Sequence, residues 1–175
     1  MKVASPRRPR RLAAHLRVSH RADVTFTILA ACGGFLIAVL WMDLMFDVQV
    51  LRQRSGTLPE PVLDSIAAYY RRVTTEAAPM GHLVGVVMLA AVATVVAFLG
   101  RGDEPRWAGW LSLALCVPPV VLAQTRIFPA AARLGAREGS PEARSRLARS
   151  ICRSHLACLA AMSAFTALQL VLAVT

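Results

Sequence analysis

The sequence predicts an all-α fold, an integral membrane four-helix bundle with amphipathic interfacial segments, and three observations carry that prediction. Of 175 residues, 56% are hydrophobic and 17% charged, against about 25% charged in an ordinary soluble domain. Four stretches hold no Asp, Glu, Lys or Arg: Val24 to Met42, Ala77 to Gly100, Trp107 to Thr125 and Leu156 to Thr175, together 82 residues. Each is 19 to 24 residues long, and about 20 apolar residues in a helix cross about 30 Å of hydrocarbon. Aromatic residues also stand at both ends of these stretches, Trp107 and Trp110 at one face, Trp41, Tyr69 and Tyr70 at the other, as interfacial belts do.

Taken in order, residues 1–22 form a basic N-terminal arm and residues 23–175 a four-span domain, with spans near 24–48, 80–100, 107–127 and 152–174. Asp23 is the expected N-cap of the first helix, which continues past the hydrocarbon to about Arg54, where Ser55-Gly56 supplies a stop. Leu58-Pro59-Glu60-Pro61 is a turn. Val62 to Glu76 then reads as an amphipathic interfacial helix, with Val62, Ile66, Tyr69 or Tyr70, and Val73 on one face. Pro79 interrupts the chain before the second span. The short turn Arg101 to Arg106 makes spans two and three antiparallel neighbours. Pro118-Pro119 must break the hydrogen-bond ladder of span three, a defect tolerated in bilayers where neighbouring helices cover the freed carbonyls. After an amphipathic stretch to Glu138, Gly139-Ser140-Pro141-Glu142 restarts a helix that runs from Pro141 to about Ala173.

An even number of spans puts both termini on one face, here the terminal face, with the two long connections on the far face. Cations number nine on the terminal face and eleven on the far one, and the denser cluster before the first span places the termini in the cytoplasm. The expected location is a plasma membrane in a bacterium, or a mitochondrial membrane in a eukaryote, where the arm would read as a presequence. The net charge of +10 flanks apolar spans, so the partners are the bilayer itself and anionic lipid head groups at the arm, and not nucleic acid. Cys32, Cys116, Cys152 and Cys158 form no C-x-x-C pair and read as small packing residues. Gly33-Gly34, Gly81-x-x-x-Gly85 and the Ala157, Ala160, Ala161, Ala164 ladder would let helices approach closely, within the chain or in a homo- or hetero-oligomer.

Gly33, Leu36, Leu40, Asp43 and Asp47 share one face of span one, which turns both carboxylates toward protein. Two carboxylates one turn apart in a poorly hydrated place repel, so they share a proton or recruit a cation or arginine. His82 and His155 each lie about one turn inside the far end of an ascending span and both are expected to point into the bundle. Two histidines at matching depth are also the geometry of bis-histidine haem ligation. With Glu76, Gln124, Arg126 and Arg153 at the same end, the bundle has the form of a pocket entered from the far face. Candidate site residues are therefore His82, His155, Asp43, Asp47 and Arg126; no metal or cofactor is expected apart from the haem alternative.

The stretch Arg126-Ile-Phe-Pro-Ala-Ala-Ala-Arg-Leu-Gly after span three, and Arg149-Ser-Ile-Cys-Arg-Ser-His155 entering span four, resemble the small four-helix membrane proteins that include anthrone oxygenases. The resemblance covers the last two spans best, and Trp41 to Asp47 in span one departs from it. It implies cofactor-independent oxygenation of a lipophilic phenolic substrate, without bound metal.

Three functional classes fit these residues. The first is a non-enzymatic bundle for packing, assembly or binding of a small lipophilic ligand in a polar-ended pocket. The second is a membrane oxygenase or isomerase on a lipophilic substrate, with His82 or His155 as base, Asp43 or Asp47 orienting it and Arg126 stabilising an oxyanion. The third is a haem or quinone electron carrier.

Overall fold

The computed structural model describes the backbone of residues 7–53 and 55–174, and the side chains of 24–53, 55–77 and 79–174. Helix α1 spans Arg7–Asp47 and tightens into a 3₁₀ turn at Val48–Arg52. The remaining elements are α2 (Glu60–Arg71), α3 (Ala78–Gly100), α4 (Arg106–Leu122), α5 (Phe128–Gly135) and α6 (Pro141–Val174). Four segments are long and apolar enough to cross a membrane: Val24–Arg52, Pro79–Gly100, Arg106–Gly135 and Pro141–Val174. The chain is thus an all-α, multi-pass membrane bundle. Only 22 to 33% of each span's most apolar window is buried by the chain itself, and residues such as Val86, Leu89, Trp110 and Val171 lie on the outside. That much continuous apolar surface has no place in water and matches the bilayer as solvent.

Asp23 is not an N-cap, because α1 runs through it unbroken from Arg7. At the other end the α-helix closes at Asp47 and the chain turns at Gly56, whose φ of 74° suits glycine; Arg54 lies outside the described residues, as do the side chains of the basic arm. The restart at Pro141 is made as expected, with Ser140 Oγ accepting the Ala143 N–H at 3.3 Å.

In the bundle α1 packs along α6, α6 on α4, α4 on α3, and α3 back on α1, so the four spans form a ring. Gly33 is a point of close approach: a Cβ there would collide with Thr166 Oγ1 of α6. The other small-residue faces do not pack within the chain. Gly34, Gly81 and Gly85 face open space, and Ala157, Ala160 and Ala164 are exposed, because α6 turns Cys158, Met162, Phe165 and Gln169 inward instead.

Two prolines reshape the far half. Pro79 and Pro129 each follow a single wide turn, at Arg72–Glu76 and at Ala123–Ile127, closed by i to i+5 bonds from Ala77 N–H to Arg72 O and from Phe128 N–H to Ala123 O. A proline ring collides with the carbonyl four residues before it, here those of Thr75 and Thr125, and a widened turn moves that carbonyl aside. Threonine hydroxyls then bond nearby carbonyls, Thr74 to Tyr70 O at 2.7 Å and Thr125 to Val121 O at 2.7 Å. Pro118 and Pro119 themselves remain inside α4 without ending it.

The far-face segments close into a cap. Leu63, Ile66 and Tyr70 of α2, Leu134 of α5, and Ala148 and Ile151 of α6 share one core. Arg137 pairs with Asp64 at 2.9 Å and Arg144 with Glu60 at 3.1 Å, while Ser145 Oγ accepts the Leu58 N–H at 2.9 Å. Gly135 is the contact point of α5 on α2, since a Cβ there would sit 2.7 Å from the Arg71 nitrogen. Backbone cannot give way as a side chain can, so Gly135→Ala should destabilise the protein by about 1–3 kcal/mol. Gly81→Ala, in open space, should stay within about 0.5 kcal/mol. Thermal unfolding of the two purified variants checks this, and equal midpoints would contradict the packing.

Candidate functional site

Asp47 closes α1 against α6, and its side chain is fully buried. One oxygen, Oδ2, lies 2.6 Å from His155 Nδ1; the other, Oδ1, accepts the Tyr70 hydroxyl at 2.7 Å. One turn earlier Asp43 repeats the pattern: its Oδ1 accepts the Tyr69 hydroxyl at 2.6 Å, and its Oδ2 stands 3.7 Å from His155 Nε2. The imidazole is therefore held between two carboxylates, bonded to one and beyond hydrogen-bonding distance of the other. Neighbouring residues on α2 reach both carboxylates because Tyr69 stacks on Phe46, ring centroids 4.1 Å apart, while Tyr70 turns edge-on beneath it.

A cavity of about 340 Å³ begins at this cluster. Its walls come from all four spans and both wide turns, among them Leu40 of α1, Val73, Val84 and Met88 of α3, Ala123 and Ile127, and Cys158 and Met162 of α6. Asp43, Tyr69, His155 and the Cys158 thiol are the ionisable side chains on its lining among the described residues, and the other lining side chains are apolar. Met42, Met80 and Phe128 line it and are also exposed, which marks where it opens.

The structure brings together three of the five expected site residues. Asp43, Asp47 and His155 form the cluster. His82 is exposed and does not line the cavity, so the expectation that both histidines point inward fails: one turn after Pro79, α3 stands away from the bundle and turns this face outward. The paired-histidine geometry behind the haem alternative is absent for the same reason. Arg126 is also exposed, because the wide turn at Ala123–Ile127 rotates Ile127 and Ala123 inward in its place. Gln124 and Arg153 are exposed, and Glu76 pairs at 3.6 Å with Arg72 at the surface. Tyr69 and Tyr70 were legible as interfacial aromatics, one of them on the apolar face of the 62–76 helix, but not as partners of the acids; the signal for that role was the pairing of adjacent tyrosines with two acids one helical turn apart.

The site's donor inventory is consistent with a fixed tautomer. With Asp47 ionised, His155 Nδ1 donates to it and leaves Nε2 as an acceptor toward the cavity. Among the described residues no three His, Cys, Asp or Glu side chains converge as a metal site. Fold and site together define the class: a four-helix multi-pass membrane protein with a polar-ended internal cavity. Comparison with family models, curated proteins and solved structures finds no match to this chain.

Burial, and then the charges of Asp43 and Asp47, push both phenols above their ordinary range. A proton held more tightly in the folded state gives a stability contribution that is intact below the unfolded value of about 10 and declines as pH rises beyond it. These are the only two tyrosines in the chain, so the rise in near-ultraviolet absorbance on phenolate formation reads them alone. Neither should ionise through pH about 10 in the folded protein, and both should in denaturant; an ordinary phenol titration of the folded protein would contradict the site.

Proposed function

We propose that this protein binds a small lipophilic molecule in the cavity, with its apolar body against the four spans and its polar group at Asp43 and His155. The observation that carries the reading is the division of the lining: apolar walls, with a few convergent polar groups at one end, as in sites that orient a largely apolar ligand. The opening among Met42, Met80 and Phe128 is itself apolar, which suits a ligand arriving from the bilayer. Val84 is nearly buried on the cavity wall, so Val84→Trp should fill the space. Titration of an uncharged lipophilic fluorophore into protein in phosphatidylcholine nanodiscs should show one saturable site, weakened at least about tenfold in Val84→Trp. Identical, non-saturating partition in both proteins would overturn the reading.

The short Asp47–His155 contact favours a second reading, proton abstraction from a lipophilic substrate. Asp47 orients the ring and His155 Nε2 is the base. This agrees with the anthrone-oxygenase resemblance of the segment entering α6, but Arg126 has no part in it, and among the described residues no arginine lines the cavity to hold an oxyanion. Oxygen uptake with a lipophilic anthrone should then fall about 10²- to 10⁴-fold in His155→Ala. Absence of uptake by the native protein would remove this reading and leave ligand binding untouched.

A further inference from the structure

The polar end of the cavity has a charge and donor balance that specifies the head group of its ligand. Asp47 is satisfied at both oxygens, by Tyr70 and by His155. Asp43 is satisfied at Oδ1 by Tyr69. Asp43 Oδ2 accepts no hydrogen bond among the described residues, and it lies 3.7 Å from His155 Nε2, on the cavity lining. With the tautomer set by Asp47, these two neighbouring atoms are both acceptors facing an apolar space. No donor among the described residues meets them.

The charges tell the same story. From α1 the site receives Asp43 and Asp47, from α2 Tyr69 and Tyr70, and from α6 His155 and the Cys158 thiol, while among the described residues α3 and α4 bring no ionisable side chain to it. His155 is the only basic group within ion-pairing distance of either aspartate among the described residues. With both acids ionised, a neutral ring leaves two negative charges, and a protonated ring still leaves one. Net charge of either amount in a poorly solvated cavity is relieved by a proton on Asp43 or by a counter-ion, and a cation bound at Asp43 Oδ2 takes the place of that proton.

Resting on the ligand-binding reading above, we infer that the cavity takes a lipophilic organic cation, an ammonium group carried on an alkyl or aryl body. An ammonium supplies several N–H donors and one positive charge. It can bridge Asp43 Oδ2 and His155 Nε2 and offset the excess charge, with the charge-assisted bonds that are strongest in such surroundings. An alcohol brings a single donor and no charge. A carboxylate adds repulsion. A bare metal ion lacks converging ligands and leaves the apolar walls unused.

Three probes of one chain length separate these cases: octylammonium, 1-octanol and octanoate, titrated calorimetrically at neutral pH into protein in phosphatidylcholine nanodiscs, with empty discs subtracted. Octylammonium should bind at least about tenfold more tightly than either of the others. Asp43→Asn, nearly isosteric, should bring it down to the level of octanol, and Val84→Trp should remove it. The three-probe comparison on the native protein is decisive even where Asp43→Asn fails to fold. If octanol matches octylammonium and both are lost in Val84→Trp, the cationic assignment is overturned while the cavity reading stands. If no probe exceeds the empty discs, both fall.

Discussion

The contact between Asp47 and His155 is the constraint around which the far half of the molecule is arranged. It joins the last residue of α1 to a residue that α6 places about one turn inside its span, and both side chains are almost completely buried. A carboxylate in such a place carries a desolvation penalty of several kcal/mol unless every lone pair finds a partner. The partners are supplied by α2, an element outside the four spans. Tyr70 reaches Asp47 only because α2 lies flat against the bundle, and α2 is held there by α5 through Gly135 and by ion pairs to Asp64 and Glu60. The cap that looks peripheral is thus the hydrogen-bonding shell of a buried pair.

The cavity follows from backbone chemistry more than from side-chain size. Pro79 and Pro129 lie on different spans, yet each imposes the same solution, a widened turn just before it. Both turns contribute lining: Val73 from one, Ala123 and Ile127 from the other. A regular helix in either place would carry a different face inward. The threonines beside these turns donate to the carbonyls of Tyr70, Arg71 and Val121 in the turn before, which suits a bilayer, where a polar group has no water to turn to.

What could be read from the sequence divides along physical lines. Spans follow from charge exclusion over about 20 residues, and all four were legible, as were the interruption at Pro79, the turn between α3 and α4, and the restart at Pro141. The face of α1 that bears Asp43 and Asp47 was legible from its glycine and leucine spacing, since helical periodicity is regular from Gly33 to Asp47. Helix faces beyond a wide turn were not legible. Arg126 lies within the wide turn, which brings Ala123 and Ile127 inward in its place, and His82 is outside because the start of α3 stands clear of the other spans, with Gly81 and Gly85 facing open space. The small-residue ladder of α6 misled for another reason: alanine is as much at home against lipid as against protein, so its spacing alone does not select a face.

The remaining asymmetry concerns the walls. Three elements, α1, α2 and α6, supply every ionisable group of the site and are locked together by it, with α1 and α6 pressed close at Gly33. Helix α3 supplies only apolar surface, and near the far face its glycines touch nothing. A wall that takes no part in the hydrogen-bond cluster can sit apart from it without leaving a polar group unsatisfied, whereas the same displacement of α2 or α6 would strand a buried charge. The opening between Met42, Met80 and Phe128 therefore lies where the structure has least to lose, on the side of the cavity bounded by hydrocarbon chemistry alone.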